Sequence, residues 1–108
     1  MMNQIIIVGR LTSDPVSMTI DNKKIATITL AVNRSFKNSD GLYETDFVDF
    51  ILKGPMVDSV SEYCKKGDVV GVKGRVENDY KMDGERTIIL VAEKVTFLSS
   101  TSKKEGEE

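Results

Sequence analysis

The chain of 108 residues has no histidine, no tryptophan, one cysteine and two prolines. Each scarcity excludes something. Without histidine, the commonest general base and metal ligand is missing. The lone Cys64 excludes an internal disulfide and a cysteine-rich metal site, and it agrees with a reducing compartment. It also falls on the apolar face of an expected helix, where a thiol is inert packing. Asp46 and Asp49 are close in sequence but point to opposite faces of an expected strand, so they do not form a carboxylate pair. There is no metal-ligand spacing and no glycine-rich phosphate loop. The expectation is a protein that is not an enzyme and needs no cofactor or metal.

Long apolar runs are missing too. No segment approaches the roughly 18 consecutive apolar residues that span a membrane. The opening MMNQIIIVGR has too short an apolar run, and no small-residue cleavage site, for a signal peptide. A cytoplasmic protein without a membrane partner is expected. A strong charge of one sign is also absent, since the formal net charge is -2. Removing the closing KKEGEE, with two positive and three negative charges, leaves -1, so the tail hides no basic body. Any basic patch for a polyanion must therefore be local.

What is present is one modest core, because 40% of the residues are hydrophobic in a chain long enough for a single domain. There is no internal repeat. After Phe97 and Leu98 the composition turns small, polar and charged, which sets a domain over 1–98 and an expected disordered tail over 99–108.

Within the domain the apolar pattern is that of strands. QIIIVGRL is apolar on both alternating faces through Ile5, Ile6, Ile7 and Val8, as in a strand covered on both sides, one cover being another subunit. Asp14-Pro15 and Asp21-Asn22 read as turns. From Ala26 to Val32 the alternation is regular, and Lys37 to Gly41 turns the chain into a second ribbon strand. Over Asp46 to Lys53, parity puts Val48, Phe50 and Leu52 in the core and Phe47, Asp49, Ile51 and Lys53 on the other face. Gly54-Pro55 starts a helix with Met56, Val57, Val60, Tyr63 and Cys64 on one face, ended by Lys65-Lys66-Gly67. Val70, Val72 and Val76 then form a core face opposite Val69, Lys73 and Arg75. A turn around Lys81 to Gly84 leads to the last strand, TIILVAEKVTFL. Five strands with a short helix between the third and fourth is the order of an all-β OB-fold, a five-stranded Greek-key barrel that binds oligonucleotides or oligosaccharides.

Sequence-tolerant binding of a single strand needs rings on which any base stacks and cations that follow the phosphates. Phe36, Phe47 and Tyr80 are candidate rings; Arg34, Lys37, Lys53, Lys73, Arg75 and Lys81 are candidate cations. On parity alone Phe47 fits a stacking ring and a subunit contact equally, and the lysines fit an ordinary solvated face. Phe36 continues the core register of Ala26 to Val32, so only a bulge or a departure of the hairpin from the barrel turns it outward.

From about Asn3 to Leu98 the chain resembles the bacterial single-stranded-DNA-binding protein family. The resemblance rests on NQIIIVGRLTSDP, ATITLAVNRSFKN, DFVDFILKG, SEYCKKG, VVGVKGR and VAEKVTF in this order. It implies an OB-fold, a homo-oligomer that is commonly a tetramer built from dimers, and binding of single-stranded DNA in replication, recombination, repair or DNA uptake. Phe36 and Phe47 match stacking positions of the family, which turns Phe36 outward. Tyr80 matches a third, after a loop one residue shorter, and Lys53 stands where many members carry another ring.

Against the family's pattern, Glu77, Asn78 and Asp79 stand where a basic hairpin is frequent and Asp49 where a cation is common, so weaker binding is expected. KKEGEE has acid but no apolar anchor, so docking of replication enzymes through the tail is not expected. The alternative from another class is a primosomal-type OB-fold module that organises partner proteins and binds nucleic acid weakly.

Overall fold

Runs of alternating β-branched residues build most of the molecule, and the computed structural model describes residues 1–100. The strands are β1 (Ile5–Leu11), β2 (Val16–Ile20), β3 (Lys23–Lys37), β4 (Tyr43–Lys53), β5 (Val69–Tyr80) and β6 (Arg86–Ser99), and α1 (Met56–Tyr63) lies between β4 and β5. Pairing runs β1-β5-β6-β4-β3 and returns from β3 to β1, so five strands close into a ring. The sixth, β2, is added to β3 as a hairpin outside the ring. Counting the ring strands alone, the helix falls between the third and fourth, the OB-fold order. The expectation for the tail from residue 101 onward lies outside the described residues.

Parity predicts the interior well where two elements hold a strand in register. Phe50, Leu52, Val70 and Val72 are buried with Leu11, Ile28 and Leu30, and α1 closes one end of the core through Val57 and Val60, with Cys64 buried just past its end. Closure also needs two close backbone approaches. A Cβ on Gly9 would lie 2.8 Å from the carbonyl oxygen of Ala31, and one on Gly74 would fall onto the carbonyl oxygen of Val91. Only a residue without a side chain fits at either crossing.

Four details differ from the sequence expectation. Val16–Ile20 is a strand in its own right, because Asp21 (φ 51°) and Asn22 (φ 64°) both take the left-handed conformation of a two-residue hairpin turn. The helix ends at Tyr63, with Cys64 already extended, so Lys65 and Lys66 lie beyond its last turn. They belong instead to a turn in which Asp68 N–H donates to the Lys65 carbonyl, with Gly67 at φ 92°. Tyr63, placed on the buried helix face, is 68% exposed. Val76, placed in the core, is at the surface because β5 and β6 continue past the ring as a free hairpin, after a register shift between Lys73 and Gly74.

At the base of that hairpin Asn3 takes over where β1 stops. Its side-chain amide donates to the Val76 carbonyl and accepts from the Val76 N–H, both at 2.9 Å. Among the described residues nothing covers the outer face of β1, where Ile6 and Val8 are exposed.

Candidate nucleic-acid interface

The outward face of the β3–β4 ribbon is set by one ladder. Ala31 pairs with Phe47, Thr29 with Asp49, Thr27 with Ile51 and Ile25 with Lys53, so all eight side chains share a face by alternation. Phe47 is 68% exposed while Phe50, three positions on, is fully buried. The projecting β5–β6 hairpin stands over this face. Between them lies a groove of about 560 Å³ lined by Thr27, Phe47, Asp49 and Ile51 on one side and Ile88, Ile89 and Leu90 on the other.

Tyr80 pairs with Arg86 and Asn78 with Ile88, which puts Tyr80 on the same hairpin face as Ile88, toward the tip. Its ring is 64% exposed. Phe36 is also 64% exposed, for the reason its parity required. The ladder breaks between Asn33 and Lys37, where Arg34, Ser35 and Phe36 stand opposite the single residue Glu44. This irregularity releases Phe36 from the core register.

The cations divide. Arg34 donates two hydrogen bonds of 3.0 Å to the Asp46 carboxylate and one of 3.5 Å to Glu44. Asp46 precedes Phe47 on the strand, so this cluster lies on the ribbon face away from the Phe47 ring. The hydrogen bond with Asp46, followed by the attraction of Asp46 and Glu44, raises the Arg34 pKa; the same hydrogen bond holds the Asp46 carboxyl below its usual range. Arg75 is engaged likewise by Glu77, at 2.7 Å, and by Glu93, at 3.3 Å, and hydrogen bonding to them raises its pKa. Arg75 and Glu77 share the hairpin face opposite to Tyr80 and Ile88. Glu77 pairs with Ile89, itself a groove-lining residue, so its carboxylate lies on the side of the hairpin that carries Ile89.

Lys37 lies 5.7 Å from the centre of the Tyr43 ring, a cation–π contact at the base of the hairpin loop. Tyr43, which parity left unassigned, thus steadies a cation. Lys81 is 4.0 Å from Glu85 within its turn. Lys73 sits between Ile6 and Lys94 on β5, the ring strand that pairs with neither β3 nor β4. Lys53 shares the Phe47 face and enters no ion pair among the described residues. Of the six candidate cations, Lys53 alone stands on the Phe47 ladder.

Sequence reasoning missed Ile88 as a groove-lining residue. It is 67% exposed, and the signal was the run Ile88-Ile89-Leu90, apolar on both parities where one face suffices for a core. Among the described residues no group of three or more histidine, cysteine, aspartate or glutamate side chains is placed to hold a metal ion, and no helix is long and apolar enough to cross a membrane.

This geometry of a closed ring with an outward ring-bearing groove meets a sequence match. A sequence profile described as the single-strand binding protein family matches residues 2–98. The chain belongs to the single-strand binding protein family. It is 42% identical over 111 residues to single-stranded DNA-binding protein 3 of Listeria innocua, covering 98% of this chain and 69% of that one. It is 43% identical over 103 residues to the single-stranded DNA-binding protein of Bacillus cereus, covering 91% of this chain and 61% of that one. The chain thus spans about two thirds of the length of these family members.

The family fold is matched as well. A Plasmodium falciparum SSB in complex with ssDNA superimposes with a TM-score of 0.74 at 21% identity, covering 92% of this chain and 96% of that one. The wild-type single-stranded DNA binding protein of Thermus aquaticus gives 0.79 at 20% identity, covering 94% of this chain and 52% of that one.

Proposed function

We propose that this chain binds single-stranded DNA without sequence preference, stacking bases on Phe47, Phe36 and Tyr80. The observation that carries the reading is the Phe47 ring, 68% exposed on the floor of a groove walled by Ile88. A large aromatic ring left in water beside an apolar wall fits a flat partner of any base identity. Lys53 and Lys37 supply charge for the phosphates, joined by Lys73 and Lys81 where the strand wraps further. Arg34 and Arg75 contribute only if DNA displaces their carboxylates. The reading includes protection of exposed strands in replication, recombination, repair or uptake, in the cytoplasm, with no catalytic step. It also includes assembly with further copies, supported by exposed Ile6 and Val8 on a strand that is apolar on both faces.

A titration with oligothymidylate over a salt series tests it. Affinity that falls with salt and drops on Phe47→Ala supports the reading; no binding by the wild-type protein overturns it. A specific observation favours a second reading, the protein-interaction module, since Arg34 of the ribbon and Arg75 of the hairpin are already paired with carboxylates. Weak strand binding with a stable partner-protein complex would select it.

A further inference from the structure

The Phe47 ladder does not stop at the groove. Past Ile51 the same face continues through the pair Ile25–Lys53 to Lys23 at the start of β3. There it opens into a second cavity of about 600 Å³ lined by Asn22, Lys23, Lys24, Lys53, Pro55 and Asp58, among others. From Phe47 to Lys53 is six residues along β4, or about 20 Å at roughly 3.4 Å per residue. The two cavities are therefore consecutive stations on one face.

Charge distinguishes them. The groove holds no cation, and its one carboxylate, Asp49, accepts a hydrogen bond from the Thr29 hydroxyl. The second cavity gathers three lysines against one carboxylate, Asp58. Asp58 is taken by Lys24, at 2.9 and 3.1 Å, an ion pair that ties β3 to the first turn of α1. Lys23 and Lys53 enter no ion pair among the described residues and are exposed. By alternation both share the Phe47 face, whereas Lys24, one position out of phase, turns toward α1. This arrangement is an apolar, ring-bearing floor that runs into a cationic end, and a single strand offers bases and phosphates to both.

We propose that the bound strand runs along this ladder and leaves through the second cavity, where Lys23 and Lys53 hold backbone phosphates and the Lys24–Asp58 pair forms the wall. The proposal rests on the single-stranded DNA reading above. It assigns a phosphate-binding role to Lys23, which neither the strand periodicity nor the family resemblance singled out, and it gives the track a direction relative to the fold.

The test compares two charge-matched double variants by oligothymidylate titration over a salt series. Lys23→Gln with Lys53→Gln removes the two free charges of the cavity and leaves the Lys24–Asp58 pair in place. Lys65→Gln with Lys66→Gln removes the same charge beyond the other end of α1. Each phosphate that is no longer neutralised lowers the slope of log K against log salt by about 0.7 for a single strand, so the first variant loses about 1.4 and the second is unchanged. Equal slopes for both variants overturn the proposal while leaving strand binding intact. Absence of binding by the wild-type protein overturns the underlying reading instead. Thermal unfolding of each variant confirms that a changed slope comes from a folded protein.

Discussion

Arg34 and Asp46 meet fork to fork across the β3–β4 ribbon, with Nε and one terminal nitrogen of the guanidinium each 3.0 Å from a different carboxylate oxygen. A planar guanidinium matched to both oxygens is the strongest geometry open to such a pair. Its partners are about half exposed, so it adds little to stability; it decides instead whether Arg34 is free to meet a phosphate.

The first prediction follows from that competition. Asp46→Asn leaves Arg34 without its main partner, and single-strand affinity rises, with a log-salt slope steeper by about 0.7 if Arg34 then meets one phosphate. Arg34→Gln in the wild-type background changes affinity little. Oligothymidylate titration of both variants checks this, and a large drop on Arg34→Gln alone would show that DNA displaces Asp46.

A pH dependence comes from the same pair. The Asp46 pKa is depressed in the folded state, so its small stabilising contribution is present above the unfolded carboxylate range and is lost as pH falls through the lower, folded value. Denaturation midpoints measured downward from pH 5 should decline less in Asp46→Asn than in the wild type.

Phe47 and Phe50 stand three residues apart and should behave oppositely. Phe47→Ala costs about 1 to 3 kcal/mol of strand binding and little stability, since the ring is already in water. Phe50→Ala empties the core and costs about 3 to 5 kcal/mol of stability. Urea unfolding and DNA titration of the two variants separate the effects. Comparable stability losses would mean that the Phe47 face is buried in the assembled protein.

Gly74→Ala drives a methyl group into the Val91 carbonyl and against the Phe50 ring, on neighbouring strands of the ring. Either β5 or β6 must shift, at a cost of about 1 to 3 kcal/mol. A lowered urea midpoint with an unchanged m-value is the expected result.

Cys64 is 4% exposed, and its thiol pKa is raised by burial first and by Asp68 second. The native protein should therefore react with a thiol reagent at pH 8 only at the rate at which it opens. Fast labelling would show that α1 detaches readily from the ring.

Much of this was legible locally. Strict alternation over Ala26–Val32 and Asp46–Lys53 placed Phe50 and Leu52 in the core and Phe47 outward, because a strand has only two faces. Legibility failed where the backbone left the ring. Val76 has a core pattern but lies on a hairpin that projects past the last barrel pairing. Phe36 has core parity, but it lies in the stretch between Asn33 and Lys37 where the pairing with β4 breaks. Tyr63 was misplaced because α1 meets the core through Val57 and Val60, with Met56 partly buried beside them, and the helix ends at Tyr63.

The sequence by itself determined that the chain is strand-rich and has no histidine, and which residues alternate with which. Those properties are local, fixed by the two-residue repeat of a strand and by the side-chain types present. Only the tertiary structure decided which charges are available. Arg34 and Arg75 were equal to Lys53 as candidates until ring closure and strand pairing put carboxylates beside the two arginines and left Lys53, with Lys23, facing open solvent at the end of the Phe47 ladder. The partners lie on the same strand or on the one paired with it, and only the register decides which carboxylate falls beside which arginine.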